Sequence, residues 1–176
     1  MENPNVLKSC NGSNPNIEQK IVPLIDAAVR SMTWKAQGRT VVVTNGCFDL
    51  LHVGHVKMLE NAKTLGSKLI VGVNSDRAVK LLKGKGRPIN KEKDRARVIA
   101  ALQSVDLVVM VDDVRVGDFL EVVRPSVWAK GGDYTLKTLD KGEVKVANRL
   151  KAKIALIPPV NGVSTTNVIK RATTKA

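Results

Sequence analysis

Hydrophobic positions along the chain follow two rhythms in alternation. Short apolar blocks rich in Val, Ile and Leu occur at Thr40–Thr44, Lys68–Asn74, Leu107–Val111, Ser126–Lys130 and Lys153–Pro158. Blocks of that length and composition read as strands buried on both faces. Between them the spacing changes to the three-and-four step of a helix. Met58, Leu59, Ala62 and Leu65 form one such face, and Val98, Ala101, Leu102 and Val105 a second. Phe119, Leu120, Val122 and Val123 give a third, and Val144, Ala147 and Leu150 a fourth. Ahead of the first strand, Ile17, Ile21, Leu24, Ile25, Ala28, Val29 and Met32 make an apolar stripe. It predicts a helix over residues 17–36, with Pro23 tolerated near its start. The chain therefore divides into a disordered arm (1–16), this helix, one α/β domain over 37–172 and a tail (173–176). Alternation of strand and helix specifies a mostly parallel five-stranded sheet with helices on both faces. Ligands of such sheets bind beyond the carboxyl ends of the strands.

Chemistry-bearing residues collect at those ends. The only two histidines, His52 and His55, lie three apart in Thr44-Asn45-Gly46-Cys47-Phe48-Asp49-Leu50-Leu51-His52-Val53-Gly54-His55. A strand before the Asn45-Gly46 break and a helix from Gly54 onward place both imidazoles at a strand-to-helix turn. Backbone N–H groups and the positive helix end face any guest bound there, and the natural guest is a phosphate. A lone histidine is more often a satisfied core or surface residue. This pair has Gly54 between its members and Gly46 just before, where missing side chains permit close backbone approach. Two histidines with no further cysteine–histidine cluster do not make a zinc site. Cys47 in the same turn reads as a packing residue rather than a nucleophile.

The stretch Cys47-Phe48-Asp49-Leu50-Leu51-His52-Val53-Gly54-His55 resembles the signature of the cytidylyltransferase-like nucleotidyltransferase superfamily, whose H-x-G-H histidines follow the first strand of a Rossmann-like sheet. Agreement continues in the same order through Val71-Gly72-Val73-Asn74-Ser75-Asp76, Arg87-Pro88-Ile89-Asn90 with Arg95, Lys130-Gly131-Gly132-Asp133-Tyr134 and Gly162-Val163-Ser164-Thr165-Thr166-Asn167, over about residues 39–172. The K-G-G-D-Y and S-T-T-N forms are similar to those of the heptose 1-phosphate adenylyltransferase branch, the adenylyltransferase domain of ADP-heptose synthases. This resemblance implies a Rossmann-like three-layer sandwich. It also implies transfer of AMP from ATP to D-glycero-D-manno-heptose 1-phosphate, with pyrophosphate released. A CTP-dependent cytidylyltransferase of glycerol 3-phosphate or ethanolamine phosphate would use the same turn. A class I aminoacyl-tRNA synthetase is disfavoured by the absence of a K-M-S-K-S-like loop.

By the same resemblance, His52 and His55 donate hydrogen bonds to the reacting phosphates, and Lys83 closes over them as a third catalytic residue. Nucleotide contacts are implied at Asn45, Gly46, Cys47, Phe48, Gly54 and His55, and at Lys130, Gly131 and Asp133 after the fourth strand. Ser164, Thr165 and Thr166 would hold the β- and γ-phosphates at the start of the last helix. Asp49, Asn74, Asp76, Arg87 and Arg95 are implied to meet the second substrate. Several of these residues have an ordinary local use that stays open. Ser164 to Thr166 suit a helix N-cap, and Asp133, Asn74 and Asp76 suit turns. Asp49 can brace its own turn by accepting backbone hydrogen bonds. Lys83-Gly84-Lys85-Gly86-Arg87 alone is a solvated cationic loop. The expected cofactor is Mg2+ carried mainly by the nucleotide phosphates, without a carboxylate cage. A separate sugar kinase and a homodimer are the implied partners.

Composition changes this picture in one respect. The formal charge of +13 raises nucleic acid as a partner, and a basic nucleic-acid-binding module is the rival from another class. Two Trp, one Tyr and two Phe are too few for stacking on single strands. The lysines are also spread over Lys80–Lys93, Lys130–Lys153 and the C-terminus, which favours a solvated surface around a site for two phosphorylated substrates. No apolar run reaches membrane-spanning length and Met1–Pro15 is polar, so a cytoplasmic, soluble protein is expected. With Cys10 in the arm and Cys47 in the motif, no structural disulfide is expected.

Overall fold

Five all-parallel strands form one sheet in the order β3-β2-β1-β4-β5. They are β1 (Val41–Gly46), β2 (Lys68–Asn74), β3 (Leu107–Val111), β4 (Val127–Gly131) and β5 (Lys153–Ile157). The computed structural model describes residues 15–132, 134–160 and 162–174. Most of the expected arm, with Cys10, lies outside these residues, as do Asp133 and the end of the tail. Helices fill the connections: α1 (Pro15–Glu18), α2 (Leu24–Ala36), α3 (Val53–Thr64), α4 (Asp76–Lys83), α5 (Glu92–Ala100), α6 (Gly117–Val123), α7 (Lys141–Arg149) and α8 (Thr165–Thr173).

The pleat sorts the apolar runs into two cores. Val41 and Val43 point to one face with Ile70, Phe119, Leu120 and Trp128, beneath α2, α6 and α7. Val42 points to the other with Leu59, Val71, Ala96 and Ile99, beneath α3 and α5. Alternate residues thus serve opposite layers, and the Rossmann-like α/β sandwich follows. The chain winds outward from β1 through β2 and β3, then crosses back to place β4 on β1's other side. A crevice opens at the carboxyl ends of β1 and β4, where the order reverses.

Two sequence expectations change. The helix over 17–36 is interrupted, because Pro23 has no N–H to donate and keeps the residue before it extended. Lys20 to Val22 instead pair with the edge of β3: Val22 donates to the Val108 carbonyl at 3.0 Å, and Val108 donates to that of Lys20 at 2.8 Å. The apolar stripe divides accordingly. Ala27, Ala28 and Ser31 are buried, while Ile25, Val29 and Met32 face solvent. Of the expected helical faces, Leu65, Val98, Ala101 and Val122 are exposed rather than packed; on α5 the inward face is made by Arg95, Ala96, Ile99 and Ala100. No helix among the described residues is long and apolar enough to cross a membrane.

Candidate active site

The turn after β1 carries the histidines, and its geometry depends on the residues around them. Phe48 adopts a left-handed φ of 48°, unusual for a residue with a Cβ, and its ring is buried below the turn. His52 is the N-cap of α3 in extended conformation, and its carbonyl accepts from the His55 N–H at 2.9 Å. One turn of helix then brings the two imidazoles face to face. Their centroids are 3.8 Å apart with planes inclined by 18°, and Phe48 meets His55 edge-on at 5.3 Å. Gly54 makes the stack possible: a Cβ there would lie 3.0 Å from His52 Nδ1. Both Nδ1 atoms are buried and have no hydrogen-bond partner among the described residues. Burial, reinforced by His52, pushes the pKa of His55 down to about 4, and burial lowers that of His52 as well. Around neutral pH the free site therefore presents two uncharged imidazoles.

Asp49 and Arg95 brace the turn from behind. Asp49 is 2% exposed and accepts at Oδ1 from the Ile89 and Asn90 N–H groups at 2.7 and 3.0 Å, while Oδ2 takes the Arg87 guanidinium. Burial pulls its carboxyl upward, but these hydrogen bonds outweigh it and hold the group below the usual carboxylate range. Asn90 returns a hydrogen bond from Nδ2 to the Asp49 carbonyl at 2.7 Å. Arg95, 2% exposed, donates to the carbonyls of Cys47 and Asn90 and to the carboxylate of Asp76. Three segments distant in sequence meet on one planar fork.

The opposite wall is built from β4, α7 and α8. Lys130 is buried, with Nζ 3.3 Å from Asn45 Oδ1 and 3.6 Å from Glu143 Oε2. The missing side chain of Gly131 is filled by Met58, whose Cγ would lie 2.3 Å from a Cβ there. At the start of α8, Ser164 is the cap and accepts from the Asn167 N–H at 3.1 Å. Thr165 and Thr166 line the cleft beside it, and the start of a helix offers N–H groups suited to phosphate.

Together these walls enclose a cleft of about 540 Å³. It gathers His52, Gly54 and His55 with Asn45, Gly46 and Cys47 on one side. Lys130, Gly131, Ser164, Thr165 and Thr166 line the other, and Asn74, Lys83 and Arg87 stand at a third edge. Lys83 is the last residue of α4, followed by Gly84 and Gly86 at φ of 85° and 83°. Cys47 is a free thiol whose pKa burial pushes up, which suits a packing role. Asp49 reaches the wall with both carboxylate oxygens already engaged. Phe48, Asp76 and Arg95 are not brought to the wall; Phe48 and Arg95 are buried behind it, and Asp76 is half-exposed and paired with Arg95. Sequence reasoning missed Met58, Arg115 and Glu143, all in the cleft lining.

Residues 43–171 match the family model described as Cytidylyltransferase-like. The chain belongs to the cytidylyltransferase-like family. This cytidylyltransferase-like chain is accordingly a nucleotidyltransferase, and the histidine cleft lies within the matched span. It is similar to the "Bifunctional protein HldE" of Methylobacillus flagellatus, with 47% identity over 86% of this chain and 31% of the relative. The protein of the same name from Magnetococcus marinus is 45% identical over 86% of this chain and 31% of its own length. The chain thus spans about a third of these curated relatives. Among solved structures, a lipopolysaccharide core biosynthesis protein from Thermoplasma volcanium GSS1 superposes with a TM-score of 0.58 at 27% identity, covering 70% of this chain and 98% of that one.

Proposed function

We propose that this enzyme transfers AMP from ATP to a sugar 1-phosphate, D-glycero-D-manno-heptose 1-phosphate, releasing pyrophosphate. The observation that carries the reading is the stacked His52–His55 pair sharing one cleft with the open start of α8. A polyphosphate can lie between them, its α-phosphorus by the histidines and its β- and γ-phosphates at Thr165 and Thr166. The K-G-G-D-Y and S-T-T-N forms and the HldE relatives support the heptose substrate. A phosphate oxygen of the sugar forms the new P–O bond at the α-phosphorus, the bond to the bridging β-phosphate oxygen breaks, and pyrophosphate carries away the electron pair. The attacking oxygen is already anionic, so the step needs no base. Positioning and charge stabilisation are what the protein supplies. Each neutral imidazole has one N–H to donate. Bound phosphates favour the protonated ring, which donates from both nitrogens.

Among the described residues, the carboxylates that line the cleft do not form a cage for Mg2+. Asp49 is spent on Arg87, Ile89 and Asn90, Asp140 on the start of α7 and on Arg115, and Glu143 on the Val116 N–H and Lys130. The ion belongs with the nucleotide, whose charge it neutralises. By chemistry, a phosphorylating step must supply the sugar 1-phosphate.

A pyrophosphate-release screen crossing ATP and CTP with heptose 1-phosphates, glycerol 3-phosphate and ethanolamine phosphate tests the reading. Turnover with ATP and a heptose 1-phosphate is the expected result, and turnover only with CTP would overturn it. A second expected result separates the two ends of the polyphosphate. Thr166→Ala removes one hydrogen bond made before and during reaction, so the nucleotide KM rises about fivefold while the sugar phosphate KM stays near wild type. Lys83→Ala removes a cation beside a glycine hinge, so kcat falls about tenfold with smaller changes in KM. Steady-state kinetics varying each substrate in turn checks both. A Thr166→Ala change confined to thermal stability would leave the hydroxyl as helix packing only.

A further inference from the structure

Asp140-Lys141-Gly142-Glu143 has the spacing of a capping box, in which the glutamate folds back onto the N–H of the cap residue. The structure departs from that pattern. Asp140 alone takes the Gly142 and Glu143 N–H groups, at 2.9 and 3.0 Å. The Glu143 side chain turns inward, where Oε1 accepts from the Val116 N–H at 3.0 Å and Oε2 lies 3.6 Å from Lys130 Nζ. Glu143 is 5% exposed and Lys130 8%. Burying two charges costs more solvation than a single pairing returns, and an apolar pair of the same volume is often as stable or more so. Stability alone does not account for placing this pair at the crevice where β4 adjoins β1.

The surroundings of the ammonium point to its use. Asn45 of β1 faces it, as do Glu143 and Asp140 of α7 and its cap, and Arg115 ahead of α6. The Trp128 and Tyr134 rings each lie 5.3 Å from it. Burial draws its pKa down and Glu143 opposes that pull. Every group named here except Trp128 lines the cleft, with Asn45 held on β1, Lys130 on β4 and Glu143 on α7.

We propose that Glu143 is a positioning residue for the transfer reaction, holding Lys130 as a charged ammonium on the cleft floor, where it meets an anionic oxygen of the bound phosphates. The proposal rests on the nucleotidyl-transfer reading given above, and its test separates the two. Glu143→Gln keeps the acceptor for Val116 and removes only the charge. The Lys130 side-chain resonance, assigned by its loss in Lys130→Met, is titrated by NMR in both proteins without substrate. Its midpoint is expected to fall by about one pH unit or more in Glu143→Gln. An unmoved midpoint overturns the coupling whether or not the enzyme turns over any substrate. Kinetics then read the role. In Glu143→Gln the basic limb of kcat/KM is expected to move to lower pH by the same shift as the NMR midpoint, so that the loss approaches about tenfold on the basic limb and stays small on its acid side. Lys130→Met should lose activity equally on both sides. A loss in Glu143→Gln that is uniform across pH and tracks a lowered Tm overturns the positioning role. Absence of turnover by the wild type on every substrate pair counts against the nucleotidyl-transfer reading, while the NMR titration still decides the coupling of Glu143 to Lys130.

Discussion

His55→Ala is expected to lower kcat by about 10²–10³-fold while the protein stays folded. Removing one preorganised donor to a developing oxyanion has that cost, and the His55 ring adds little to either apolar core. Burial of the ring, with His52 beside it, gives the variant a second signature. Folding holds His55 at a pKa near 4, below the unfolded value of about 6.5, so the unfolded chain binds the proton more readily. The associated stability is present above about pH 6.5 and is lost as pH falls toward 4. His55→Ala removes that contribution, so its Tm should decline less than that of wild type across the same window. Scanning calorimetry at pH 7 and pH 4.5, beside single-turnover kinetics, checks both parts. Full activity in a folded variant would remove His55 from the reaction.

The largest loss of stability is expected from Arg95→Ala. Its guanidinium donates to Cys47, Asn90 and Asp76 from a position 2% exposed. Truncation leaves those acceptors without a donor and opens a cavity beneath the histidine turn. Breaking a buried charged network of this kind costs about 3–5 kcal/mol, which for a domain of this size is a fall in Tm of about 10 °C. Arg95→Lys should recover little, because one ammonium cannot span three directions. Thermal melts of both variants check the expectation. An Arg95→Ala protein with wild-type Tm and a raised sugar phosphate KM would instead make Arg95 a substrate contact.

That contrast shows what the sequence made legible. β2 and β3 have the bounds expected of them, since strands covered on both faces are continuous apolar runs whose ends are marked by polar residues. The histidine turn was legible for the same reason, lying between a strand and a helix that each announce themselves. Arg95 was singled out as a substrate contact but not as a buried brace, and Glu143 was not singled out at all. A charged residue on a helix reads as solvent-facing, and partners as remote as 48 and 27 positions away, Cys47 and Val116, help to turn these two inward. The break before α2 was missed because the pairing of Lys20 to Val22 with β3 is equally remote in sequence.

Bracing from behind has a consequence for variation. Asp49, Arg87, Asn90 and Arg95 anchor the far side of the segment that follows Gly86, and Ser75 caps the near side by accepting from the Ala78 N–H. The short span from Gly84 to Gly86 is thus a tether between two fixed posts. Its length and charge can drift without disturbing the imidazole stack. Insertion or loss of a few residues in this span would therefore reshape the rim of the cleft and leave the braced histidine turn in place.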